Sequence, residues 1–169
     1  MKRQPSIVYI MGVSGSGKTT IGQRLSAATG IPFFDADDFH PPPNKEKMKA
    51  GQPLNDDDRK EWLIRINELA KNQSQQKGAI IACSALKEKY RKVLSERIGS
   101  PVHWVLLQGD FRLIQKRMES RKDHFMPPTL LQSQFDTLEA PANAIIIDIK
   151  DDPEEIVADI LRQIKLTAE

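Results

Sequence analysis

The chain has 169 residues, 39% of them apolar and 28% charged, with a formal net charge of +2. That length suits one domain with a buried core, and the balance is that of an ordinary globular protein. So small a net charge argues against the clustered base of a nucleic-acid binder, no apolar run approaches the roughly 18–20 residues of a membrane span, and a single cysteine, Cys83, rules out an internal disulfide.

The N-terminal stretch "MKRQPSIVYIMG" starts basic, but its apolar part is short and runs into a glycine-rich motif. It is therefore expected to be a first strand, Ser6–Met11, and not a targeting segment, and the protein is expected to be cytoplasmic. A helix is predicted over Lys18–Thr29 and a short strand over Pro32–Asp35. Further strands are predicted at Ala79–Cys83, Val102–Leu107 and Ala144–Ile149. Helices are predicted over about Ala85–Arg97, Phe111–Arg121 and Pro153–Leu166. The strands are nearly continuous apolar runs, as in a parallel sheet covered on both faces. Their alternation with helices predicts a doubly wound α/β fold, with residues 1–169 forming one domain. Two insertions interrupt the pattern. Phe39–Gln76, with room for two helices, is expected to cover a substrate, and Lys122–Leu138 to act as a lid. Both follow the C-terminal ends of strands, where such folds place ligands.

The strongest motif is "GVSGSGKT", Gly12 to Thr19, which meets every fixed position of a P-loop between a predicted strand and a predicted helix. Backbone N–H groups of Gly12, Val13, Ser14, Gly15, Ser16 and Gly17 are expected to curl around the phosphates of ATP, helped by the helix N-terminus. Lys18 is expected to reach the β- and γ-phosphates and the Thr19 hydroxyl to ligate Mg²⁺, with Thr20 a helix residue near the phosphates. A guanine-reading N-K-x-D is absent, because Asn44-Lys45 is followed by Glu46-Lys47. The third strand ends "ACS", without the acid that larger ATPases carry there. Asp148 reads better as a base-side or structural turn residue than as a metal ligand.

That vacancy falls to "DADDFHP". Asp35, at the end of the second strand, is expected to face Thr19 across the metal. Asp37 lies two residues on and so on the same side of an extended segment. Asp37 is assigned as the group that orients the acceptor hydroxyl and takes its proton, and Asp35 as the metal-side carboxylate; the sequence leaves the two roles exchangeable. On the acceptor side, Arg59 is one turn into a helix that begins "NDDDRK", and a guanidinium fork suits a carboxylate. Ser84, Lys87 and Arg91 follow the third strand, with Lys87 and Arg91 four apart on one predicted helix face. His40 and Asn44 add hydroxyl-reading groups. The set suggests a small polyhydroxylated acid. Arg117 is expected at the nucleotide, Arg121 and Lys122 at the transferring phosphoryl group, and His124 at the lid or the acceptor. Cys83, His103, Trp62 and Trp104 are expected to be packing residues.

These blocks together resemble the gluconate kinases, the small P-loop gluconokinases. The likeness runs from about Ile7 through the last helix and is carried by "MGVSGSGKTT", "DADDFHP", "KMKAGQPLNDDDRKEWL", "ACSALKEKYR" and "HFMPPTLLQSQFDTLE". The resemblance implies ATP-dependent conversion of D-gluconate to 6-phosphogluconate. It also implies a nucleoside-monophosphate-kinase-like fold with a five-stranded parallel sheet in the order 2-3-1-4-5, and a homodimer. Shikimate kinases are the nearest rivals; they resemble one another in a glycine pair after the third strand that "ACSALK" lacks. Nucleotide kinases would need a pocket for a second base, and an ATP-sensing module would not need Asp35, Asp37 and a lid together.

Overall fold

Five apolar runs form the frame, and their side chains alternate between two cores. The structure, a computed structural model, describes residues 4–120 and 128–165. The strands are β1 (Ile7–Met11), β2 (Phe33–Asp35), β3 (Ala79–Ala82), β4 (Val102–Gln108) and β5 (Ile145–Asp148). They form one parallel sheet in the order β2-β3-β1-β4-β5. This is the predicted fold class and order.

The helices are α1 (Lys18–Thr29), α2 (Pro42–Lys49), α3 (Asp56–Ser74), α4 (Glu88–Ser95), α5 (Phe111–Glu119), α6 (Pro128–Thr137) and α7 (Pro153–Ile164). Strand alternation decides which core each side chain joins. Val8 and Ile10 of β1 meet Leu25 of α1, Ile114 of α5 and Ile160 of α7. Ile7, Tyr9 and Met11 face the other way, toward Trp62 and Ile66 of α3 and Leu94 of α4. All five β1 residues are buried, which is why the strand reads as an unbroken apolar run. Among the described residues no helix is long and apolar enough to cross a membrane.

The helix after β3 differs from the sequence expectation at both ends. It starts at Glu88 and not at Ala85, because Ala85 takes a positive φ of 46° and Lys87 is extended. It stops at Ser95, and Arg97 again turns left-handed at φ 55°. The insertion after β2 holds the two expected helices, α2 and α3. The segment expected as a lid contains α6, a helix the sequence reading did not draw, packed against α5.

Candidate active site

β1 lies between β3 and β4, so the connections leaving β1 and β3 diverge at the carboxyl edge of the sheet, the usual ligand crevice of such folds. The P-loop fills that point. Gly12 has φ 145°, and a Cβ there would lie 2.9 Å from both the Leu107 carbonyl oxygen and Ser16 Oγ. Gly17 caps α1 with φ 99°, a conformation that an L side chain resists. A cleft of about 650 Å³ opens above, and Ser14, Gly15, Gly17, Lys18, Thr19 and Thr20 line one side of it. Gly12, Val13 and Ser16, also expected as phosphate contacts, are buried beneath the loop and shape it from below. Lys18 Nζ donates to the carbonyls of Gly12 and Val13 at 3.1 and 3.0 Å.

The two carboxylates come together as the spacing predicted, by a different local geometry. Asp35 ends β2 and caps a short 3-10 turn, Ala36–Phe39, its Oδ1 accepting from the Asp37 N–H at 3.0 Å. Its Oδ2 accepts from Thr19 Oγ1 at 3.3 Å. Burial pushes the Asp35 carboxyl up, and the charges of Asp37 and Asp38 add to this. The hydrogen bonds from Asp37 N–H and Thr19 oppose the rise without cancelling it. Asp37 opens into the cleft with its side chain 68% exposed. What burial it has works to raise its carboxyl, but the His40 ring and the Lys18 charge outweigh that and hold it below the usual range.

Opposite lie the acceptor candidates. Arg59 lines the cleft, donating to the Leu54 carbonyl and to Tyr90 Oη, with its guanidinium carbon 5.3 Å from the centre of the Tyr90 ring. Lys87 and Ser84 line it too, and Lys87 Nζ sits 3.2 Å from Asp56 Oδ1 and 5.6 Å from the Tyr90 ring centre. The capping box of α3 aims this wall. Asp58 N–H donates to Asn55 Oδ1, Asn55 N–H donates to Asp58 Oδ2, and Lys47 Nζ adds a second bond to that carboxylate at 2.8 Å.

Two expected substrate contacts are corrected. Arg91 is buried and its guanidinium donates to the carbonyls of Ala85 and Glu139, both at 2.7 Å. It diverges from Lys87 because α4 starts only at Glu88, so the two do not share a helix face. Asn44 is 3% exposed and donates to the Asp58 carbonyl and to His40 Nδ1, so its amide nitrogen is not available to read a hydroxyl. His40 reaches the cleft wall, stacked on Trp62. Arg117, expected at the nucleotide, lies outside the cleft lining and donates to the Ile149 carbonyl at 2.6 Å, in the turn after β5. Asp148 accepts from Lys150 N–H in that turn, one of the two roles expected of it. Arg121, Lys122 and His124 lie outside the described residues.

Sequence reasoning missed two wall residues. Gln134 of α6 donates to Ser14 Oγ at 3.1 Å and accepts from the Ser14 N–H at 2.7 Å, tying α6 to the P-loop. A pairing across 120 residues leaves no local signal. Asp56 was not singled out as a site residue. Lys89, Tyr90 and Lys87 converge on it and hold its carboxyl far below the usual range.

A P-loop at the switch point of a 2-3-1-4-5 parallel sheet, with carboxylates and cations facing each other above it, defines a P-loop kinase of small molecules. A family model described as shikimate kinase matches residues 14–165. Within that class the likeness narrows. The chain is 45% identical to a probable gluconokinase of Dictyostelium discoideum, covering 97% of this chain and 88% of that one. It is 41% identical to the thermoresistant gluconokinase of Escherichia coli K12, covering 94% and 93%. A crystal structure of a gluconokinase from Sinorhizobium meliloti 1021 superposes with a TM-score of 0.87 at 39% identity, covering 97% and 94%. The chain belongs to the gluconokinase family.

Proposed function

We propose that the protein transfers the γ-phosphoryl group of ATP to D-gluconate, giving ADP and 6-phosphogluconate. The observation that carries this is the facing of a P-loop with two carboxylates and a wall bearing Arg59 and Lys87 across one cleft, in a chain of this family. In the proposed reaction the gluconate 6-hydroxyl attacks the γ-phosphorus. The new O–P bond forms as the bond to the β-phosphate oxygen breaks, ADP leaves, and the hydroxyl proton passes to Asp37. Arg59 and Lys87 hold the substrate carboxylate at the far end, so the hydroxyl terminus points at the P-loop.

Thr19 and Asp35 fit the expected Mg²⁺. Their oxygens lie 3.3 Å apart in a half-open site, and hard oxygen donors are what that ion takes. Among the described residues no group of three or more His, Cys, Asp or Glu forms a metal cage. One or two protein oxygens, completed by water and phosphates, is the usual pattern for Mg²⁺ in kinases. Bound there, the ion would neutralise charge on the β- and γ-phosphate oxygens. Arg117 at the nucleotide, and Arg121 and His124 near the phosphoryl group and acceptor, remain part of the proposal on the sequence pattern. A cytoplasmic location is proposed on the same ground, and a homodimer on the resemblance, the latter checked by light scattering at twice the chain mass of 19.1 kDa.

A coupled assay of ADP release with a panel of sugar acids and shikimate tests the reading. Gluconate-dependent turnover is expected. Turnover with shikimate and none with gluconate would transfer the chain to the rival activity.

A further inference from the structure

Behind the cleft wall, the Asn44 amide nitrogen has two acceptors, the Asp58 carbonyl oxygen at 2.7 Å and His40 Nδ1 at 3.2 Å. A carbonyl oxygen only accepts, so the atom facing it is the NH₂, and this fixes the orientation of the amide independently of the ring. The second N–H then points at His40 Nδ1, which must present its lone pair. In a neutral imidazole the proton therefore sits on Nε2. Nε2 faces Asp37 Oδ1 at 3.7 Å. The ring is clamped: His40 is 5% exposed and stacks on Trp62 with centroids 4.3 Å apart, and Trp62 Nε1 is anchored on the Ala36 carbonyl at 2.7 Å.

We propose that Asn44 is a positioning residue for phosphoryl transfer, fixing the His40 tautomer so that Nε2–H steadies one oxygen of Asp37 and leaves the other for the acceptor hydroxyl. This rests on the reading of Asp37 as the proton acceptor. The 3.7 Å gap is longer than a hydrogen bond, and the exposed Asp37 side chain has room to close it. Asn44 itself never meets the substrate. Its effect passes through a ring that cannot rotate and a proton that has one place to sit.

Nitrogen-15 NMR of histidine-labelled protein tests this directly, with His40 assigned by the loss of its signals in His40→Gln. The unmodified protein is expected to show the Nε2–H tautomer at His40; an Nδ1–H tautomer there overturns the proposal without any variant of Asn44. Asn44→Ala is expected to mix the tautomers and to lower kcat on the order of 10- to 100-fold, the range for a misplaced catalytic group, with the gluconate KM near its parental value. In a His40→Gln background, where a side-chain amide offers Asp37 an N–H without a tautomer to fix, adding Asn44→Ala should cost little more. An unchanged tautomer in Asn44→Ala, a raised gluconate KM with intact kcat, or additive losses in the double variant each overturn the proposal. Asp37→Asn separates the two readings. If it retains kcat, the proton-acceptor reading fails whatever the tautomer; if it loses kcat while Asn44→Ala does not, only the role of Asn44 fails.

Discussion

Asp35 and Asp37 stand two residues apart, yet their surroundings drive their carboxyls in opposite directions. Asp35 is pushed up by burial and by two neighbouring acids, an environment whose cost to the carboxylate a bound cation would relieve. Asp37 loses some hydration in the cleft, but His40 and Lys18 outweigh that and hold it down, so it is already ionised and ready to orient a hydroxyl. A carboxylate so stabilised is a weak base. That is sufficient where the transition state is loose and the hydroxyl loses its proton late. The expected division of labour is measurable. Asp37→Asn should keep ATP binding and lose about 10²–10⁴-fold in kcat, the usual worth of a positioned base, and a near-parental kcat would give the role to Asp35. Asp35→Asn should instead raise the Mg²⁺ concentration needed for half-maximal rate, read from a magnesium titration at fixed ATP; an unchanged midpoint would take Asp35 off the metal. Across the cleft, Arg59→Ala should raise the KM for gluconate far more than that for ATP. Equal rises would make Arg59 a brace for Leu54 and Tyr90, which it also touches.

At the scale of elements, the wall that carries Ser84 and Lys87 is held from behind. Arg91 joins the loop after β3 to the stretch after α6 through the carbonyls of Ala85 and Glu139. The same stretch adds two more bonds: Glu139 N–H donates to the Leu86 carbonyl, and the Glu139 carboxylate accepts from the Glu88 N–H. Arg91→Met keeps the packing volume and strands two carbonyls, each worth about 1–3 kcal/mol if left unpaired. Two such carbonyls together should lower the melting temperature by roughly 4–24 °C for a chain of this length. A parental melting temperature with a raised gluconate KM would restore the direct substrate contact that the sequence suggested. The central strands β1 and β3 were legible because burial on both faces leaves an apolar signature that needs no context. The start of α4 was not, because Ala85 takes a positive φ that alanine does not favour, so no local residue preference announces the break. For α6 a signal was present: Leu131, Phe135 and Leu138, spaced by four and three, pack on the α1–α5–α7 side of the sheet. Of the site, the phosphate half was legible from motif and spacing. Asn44 and Arg91 were misread because residue type names a donor but not the acceptor that the fold brings to it.

The whole molecule places its ligand site at the carboxyl edge of the sheet that separates its two cores, and Cys83 lies at that edge. It follows β3 directly, donates its N–H to the Ile10 carbonyl at 2.9 Å, and is 2% exposed. Burial, with the Asp37 charge second, pushes its thiol up to about 12. At pH 8 only about 1 in 10⁴ of such thiols is ionised, and the thiolate is the reactive form. Exposing it requires parting β3 from β1 beneath the P-loop, an opening that dismantles both cores and the phosphate site together. Labelling of this single cysteine by a disulfide reagent should therefore report opening of the whole sheet. Because ATP binds only the closed form, nucleotide at about 100 times its Kd should slow labelling about 100-fold, the factor that mass action sets. Rapid stoichiometric labelling of the folded protein, indifferent to ATP, would mean that the end of β3 opens on its own, and the sheet edge would then be a mobile wall of the cleft rather than its fixed floor.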